Sequence, residues 1–137
     1  MTEVQQETLR AVIDRIVPAD DFAGASEAGV DEYLARQFKR DLAAQLEVYC
    51  SGLDGIEAEA QMRFQSSFAS LTLDQQDTTL RQIEAGEVLA SWSVQPIPFF
   101  ELLVNTTAEG YYSEPEQGGN RGAISWAMTG FEAGPHA

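Results

Sequence analysis

Apolar residues return along this chain at steps of three and four, the spacing that lines one face of an α-helix, so the fold has to be built from packed helices. Leu9, Val12, Ile13, Ile16 and Val17 make the first such face. Thr2, with Gln5 three residues later, introduces it as a capping box, and Pro18 stops it, which predicts a helix over 2–17. Residues 19–25, with Asp20, Asp21 and Gly24, read as a loop. The longest stripe comes next. Val30, Tyr33, Leu34, Phe38, Leu42, Leu46 and Tyr49 share a face from which Asp31, Arg36, Lys39, Arg40 and Glu47 are mostly excluded, predicting one continuous helix over 26–49. Gly52 and Gly55 read as breaks, and Leu53, Ile56, Ala60 and Phe64 then predict a third helix over 54–68.

A second capping box, Thr72 with Gln75, precedes Leu80 and Ile83, and Gly86 stands where a left-handed cap would end a helix over 73–85. Residues 87–98, with Trp92, Pro96 and Pro98, are either a short helical turn or an extended connection. Pro98 suits the first position of a helix over 98–112, and Phe99, Phe100, Leu102, Leu103 and Val104 make that helix apolar nearly all round, hence central. Residues 113–122 read as a glycine-rich loop, followed by a last apolar element with Ile124, Trp126, Met128 and Phe131. The expected architecture is all-α: a single compact, bundle-like multi-helix domain over residues 1–137 with a glycine-rich C-terminal loop.

Size and composition narrow the function. A chain of 137 residues can bury roughly two-thirds of its unfolded surface and needs neither metal nor disulfide to fold. Apolar residues make up 44%, without a run near the roughly 18 needed for a membrane span, so none is expected. Eight Lys and Arg against twenty-two Asp and Glu give a formal charge of −14, a field that repels phosphate backbones. Nucleic acid is not expected as a partner, and the charge reads first as a solvated surface that aids solubility. Cys50 is the one cysteine, and beside Leu46, Val48 and Tyr49 at the end of the second helix it reads as a packed thiol. Met1-Thr2-Glu3-Val4 lacks the basic start and apolar core of a secretory signal. The expected compartment is cytoplasmic, or periplasmic if an export leader has been trimmed.

Most catalytic schemes fail by counting. His136 is the one histidine and lies next to the C-terminus, which leaves no Ser-His-Asp triad and no histidine-rich metal site. One Cys and one His cannot make a zinc cluster, and the spacings of a di-iron bundle and of a phosphate-binding glycine loop are missing. Gly118-Gly119-Asn120-Arg121-Gly122 reads as a plain turn, while Asp20-Asp21 and the Glu114 and Glu116 pair lack calcium-loop spacing. No catalytic, cofactor-binding or metal-binding residue is assigned. A carboxylate pair acting as general acid and base stays open, because twenty-two candidates supply some pair at almost any separation. What stands out is the C-terminal third, where Phe99, Phe100, Tyr111, Tyr112, Trp126, Met128 and Phe131 gather beside the glycine-rich loop. Such residue types are enriched at interfaces, although for Phe99, Phe100 and Trp126 core filling is the stronger reading.

Gly110-Tyr111-Tyr112-Ser113-Glu114-Pro115, Gly118-Gly119-Asn120-Arg121 and Trp126-Ala127-Met128-Thr129-Gly130-Phe131 together resemble the gluconate 2-dehydrogenase subunit 3 family. Asp14-Arg15-Ile16-Val17-Pro18-Ala19-Asp20 and Gly24-Ala25-Ser26-Glu27-Ala28-Gly29-Val30 are similar to the family's opening signature. The resemblance implies a non-catalytic small subunit that stabilises, in a chaperone-like way, the large subunit of an FAD-dependent dehydrogenase of the glucose-methanol-choline class. Such a complex oxidises a sugar, sugar acid or glycoside hydroxyl. FAD would belong to the large subunit, with no cofactor on this chain. Tyr111, Tyr112, Ser113, Gly119, Asn120, Arg121, Trp126, Met128 and Phe131 would carry the contact. Arg121 suits either a bidentate link to the partner or a salt bridge to this chain's own acidic surface. Two departures stand: Met1-Thr2-Glu3-Val4 hold none of the paired arginines of the export leader that the family commonly carries, which counts against the expectation of periplasmic delivery and a haem-containing electron acceptor, and Ala127 and Thr129 replace the Lys and Ile of the family's tryptophan motif. The alternative is a stand-alone helical structural or regulatory interaction protein.

Overall fold

The structure, a computed structural model, describes residues 1–19 and 23–113. Among these there are five α-helices and no strand: α1 Glu3–Ile16, α2 Val30–Gln37, α3 Leu46–Phe64, α4 Leu73–Glu84 and α5 Pro96–Ser113. Helix α1 packs against all four others, and α5 lies against α1, α2, α3 and α4. Their shared core is apolar: Val12, Ile13 and Ile16 from α1, Leu34 from α2, Leu53 and Ile56 from α3, Leu80 and Ile83 from α4, and Phe100 and Leu103 from α5 are all fully buried.

Both capping boxes form. Thr2 Oγ1 accepts from the Gln5 N–H at 3.0 Å while Gln5 Oε1 accepts from the Thr2 N–H at 2.7 Å. Thr72 and Gln75 exchange the same bonds at 3.2 and 3.1 Å, so two otherwise orphaned backbone donors are satisfied at each start. Helix α4 ends as its sequence predicts, with Gly86 in the left-handed region at φ 79°.

The helix predicted over 26–49 is instead two helices. α2 stops at Gln37, residues 38–42 turn, a 3-10 turn follows at Ala43–Gln45, and α3 begins at Leu46. Packing explains the break. In one continuous helix Phe38 and Tyr49 would sit about 16 Å apart along the axis. Here their rings meet edge to face at 4.8 Å, which only a chain folded back on itself allows. The apolar stripe was thus shared between two helices whose faces meet. Cys50 accordingly lies half-buried in the second turn of α3 rather than at a helix end.

Gly52 and Gly55 are the second correction, because both sit inside α3 instead of ending a helix. A Cβ on Gly52 would lie 2.3 Å from the Phe99 ring, and one on Gly55 would lie 2.6 Å from the Trp92 ring. The two glycines cut a groove into which the connection after α4 and the start of α5 settle. The third helix also ends earlier than predicted, at Phe64, because Phe68 belongs to a 3-10 turn whose N–H is held by Glu57 Oε1 at 2.9 Å.

Residues 87–95 form bends and irregular backbone without a helix, and α5 begins at Pro96, not Pro98. Both prolines fall in the first turn, where no intrahelical donor is required, and the Phe99 N–H makes the first bond back to Gln95 at 3.1 Å. α5 is central, yet Glu101, Asn105 and Glu109 keep one stripe in solvent. Its buried Thr106 and Thr107 hydroxyls donate to the Leu102 and Leu103 carbonyls at 2.8 and 2.7 Å, so neither is left unsatisfied. The loop over 113–122 and the last apolar element lie outside the described residues, apart from Ser113 at the end of α5.

Gly52→Ala decides between two effects. Helix propensity alone would favour alanine by about 1 kcal/mol, but overlap with the buried Phe99 ring costs about 1–3 kcal/mol through forced repacking. The expected result is net destabilisation, read as a lower midpoint in urea unfolding at unchanged slope.

Candidate partner interface

Where the family strings fall within the described residues, the segment after α1 and the end of α5 meet in space. Asp14 on α1 accepts from the Ser26 N–H at 2.8 Å and the Ser26 hydroxyl at 2.6 Å, which folds the segment after α1 back onto the helix. The Ala25 N–H closes the same corner on the Val17 carbonyl at 2.9 Å. Arg15 reaches the other way and grips Asp77 of α4 with two bonds, at 2.8 and 3.0 Å; that partnership raises the guanidinium pKa above its already high ordinary value. Gly110 lets α5 approach α2 so closely that a Cβ there would stand 2.8 Å from the Tyr33 ring and 3.1 Å from Val30. One residue on, the buried Tyr111 donates its hydroxyl to the Ala23 carbonyl at 3.0 Å. The described residues of those strings, 14–19, 23–30 and 110–111, therefore join α1, α2 and α5.

Three of the nine residues expected at a partner surface fall within the described residues. Tyr111 is fully buried, and its ring meets Tyr112 edge to face at 5.9 Å. Tyr112 is half-buried and lines an open groove of about 470 Å³ between α2 and α5, together with Tyr33, Gln37, Asp41, Leu42 and Glu109. Ser113 ends α5. Gly119, Asn120, Arg121, Trp126, Met128 and Phe131 lie outside the described residues, as do Asp20, Asp21, Glu114, Glu116 and His136.

Among the described residues, one heavily bonded polar group is one that periodicity passed over. Glu59, fully buried on α3, accepts from the Leu89 N–H at 3.0 Å, the Ala90 N–H at 2.8 Å, the Trp92 indole at 3.0 Å and Arg63 Nε at 3.1 Å. Arg63 in turn donates to the Glu87 carbonyl at 2.7 Å. Burial by itself would raise the Glu59 pKa, but the Trp92, Ala90, Leu89 and Arg63 donors outweigh it and hold the carboxyl below its ordinary value. The i,i+4 placement of Glu59 and Arg63 was readable as a helical ion pair. Its backbone partners thirty residues away were not.

This arrangement bears on chemistry. Among the described residues Glu59 is the one buried carboxylate, and a group held ionised by four N–H donors has no proton to give near neutral pH. Tyr49, the other buried titratable group on α3, has its phenol pushed far up by burial, against a smaller opposing effect of its hydrogen bond with the Thr106 hydroxyl. No group of three or more His, Cys, Asp or Glu side chains is placed to hold a metal ion among the described residues. No helix there is long and apolar enough to cross a membrane.

These features define an all-helical domain whose buried polar side chains fasten its own segments together. The family model described as gluconate 2-dehydrogenase subunit 3 matches residues 3–134, nearly the whole chain, and the chain belongs to that family. It is thus a member of a family of dehydrogenase subunits. No curated protein and no solved structure matches it.

Glu59→Gln keeps the shape but turns an amide NH₂ toward backbone donors. Loss of charge-assisted bonds in a buried network is expected to cost about 2–4 kcal/mol at neutral pH. Because the folded pKa lies below the unfolded one, the carboxylate stabilises the fold fully above about pH 4.3 and loses that contribution as pH falls through the folded value. Urea unfolding across that range checks both: the gap between wild type and variant should narrow progressively below about pH 4.

Proposed function

We propose that this chain is the non-catalytic small subunit of an FAD-dependent dehydrogenase of the glucose-methanol-choline class, and that it binds and stabilises the large subunit. The observation that carries this reading is the family match over residues 3–134, whose description names a dehydrogenase subunit. FAD and the reacting groups belong to the large subunit, whose substrate is a sugar, sugar acid or glycoside hydroxyl.

The contact surface runs from Tyr112 into the C-terminal string with Gly119, Asn120, Arg121, Trp126, Met128 and Phe131. Tyr112 supports this reading, since it lines an open groove beside Tyr33 and Leu42 at the point where α5 hands over to that string. Arg121, with five donors in a fixed fork, is the residue suited to a carboxylate or paired carbonyls of the partner. An obligate interface of this kind buries about 2,000 Å² or more. Binding the folded, flavin-loaded state in preference to the unfolded one then raises its population by mass action.

Co-expression with a glucose-methanol-choline-class flavoprotein from the same genome tests the proposal. The expected outcome is co-purification, with more soluble large subunit and a higher flavin absorbance per protein than when the large subunit is made alone. A dehydrogenase that reaches full flavin content and activity without this chain would refute it.

A further inference from the structure

The seven cations among the described residues divide into two groups. Arg10, Arg15 and Arg63 sit in ion pairs with Asp31, Asp77 and Glu59, and Arg81 is engaged as well. Arg36, Lys39 and Arg40 are exposed, and none of them has an ion pair. They fall within five residues, at the end of α2 and the turn after it, in a chain whose formal charge is −14. Lys39 also lines a groove of about 360 Å³ between α1 and α2, whose walls include Leu9, Ala35, Phe38 and Leu46. Asp31, paired with Arg10, and Glu32 line the same groove.

We propose that this α1–α2 groove is a second docking site for the large subunit, and that it receives an apolar segment flanked by carboxylates that pair with Arg36, Lys39 and Arg40. The proposal rests on the subunit reading above and adds a surface that the C-terminal string does not include. Charge complementarity identifies the occupant. A segment rich in carboxylates is repelled by a chain of this net charge except where unpaired cations cluster, so the 36–40 patch fixes where such a segment lands. The groove beside it has the volume of an ordinary binding cleft and an apolar wall to receive the segment's apolar face. A phosphate polymer would meet the same three cations against the whole acidic field, which disfavours it.

Titration of the purified flavoprotein large subunit with the full chain, at low and at high salt, tests the proposal. The variants are R36E/K39E/R40E together, and Ala35→Trp, which fills the groove from an exposed position on α2. All four positions are exposed, so thermal melts of both variants should match wild type. The charge-reversed variant should bind about tenfold or more weakly at low salt and lose most of its salt dependence, since steering by opposite charges is what salt screens. Ala35→Trp should weaken binding by about tenfold at either salt concentration, as expected when an apolar anchor is excluded from its pocket. Wild-type affinity in both variants overturns the inference while leaving the subunit reading intact, whereas a wild-type chain that binds no large subunit overturns the subunit reading itself. If the variants instead dissolve a homodimer and leave affinity for the large subunit unchanged, a second copy occupies the groove and the inference is wrong.

Discussion

The fold turns on one carboxylate holding a segment that has no secondary structure of its own. Residues 87–95 must cross α3 for Trp92 to cover Gly55 and for α5 to start with Phe99 over Gly52. Nothing in such irregular backbone provides the regular bonds that a helix or ladder would. Glu59 provides them, with Leu89, Ala90 and Trp92 all donating to one ionised group and Arg63 both balancing its charge and reaching the Glu87 carbonyl. Bonds to a charged acceptor are each worth about 1.5–3 kcal/mol, so three of them from one short segment fix its course across α3. The same contact builds an aromatic row. Phe38, Tyr49, Phe99 and Trp92 meet in succession at ring separations of 4.8, 5.8 and 6.3 Å, so the end of α2, α3, α5 and the crossing segment share one packed layer.

How much of this was readable from sequence depends on whether the determining contact was local. α1 and α4 were legible almost to the residue because a capping box, a proline and a left-handed glycine all act within four residues of the helix end. α2 and α3 were not. A stripe from Val30 to Tyr49 has the right period for one long helix, and period carries no information about a chain that folds back so that Phe38 can meet Tyr49. Gly52 and Gly55 failed for a related reason. Glycine weakens a helix interior, so locally it reads as a stop, but here its missing side chain makes room for rings that arrive more than thirty residues later.

The family was legible in the sequence, and the geometry of its strings much less so. Strings such as Asp14-Arg15 and Gly110-Tyr111 identified the family, yet within the described residues their side chains hold α1, α2 and α5 together. Tyr111 shows why residue type alone does not place such a site: a tyrosine is as useful for anchoring a helix end to a loop carbonyl as for meeting a partner, and here its hydroxyl is on Ala23. Tyr112, its neighbour, points the opposite lesson, because only the arrival of Tyr33 from α2 and Leu42 from the turn after it makes a groove of its surroundings.

α2 is the element that the two grooves share. Asp31, Glu32, Ala35, Phe38 and Lys39 face the groove shared with α1, while Tyr33, Gln37, Asp41 and Leu42 face the one shared with α5, so a helix of eight residues and the turn after it form the wall between two clefts. A helix that short has little stability by itself and depends on its neighbours for its position. Gly29 at φ 86° starts it, Gly110 admits it close against α5, and the Arg10–Asp31 pair ties it to α1. Anything seated in either cleft would therefore bear on the same helix, and through Phe38 on the aromatic row that Glu59 keeps closed. On the subunit reading, a partner touching both clefts would stabilise this domain as it is itself stabilised, since the free energy linking binding to folding is shared by both chains.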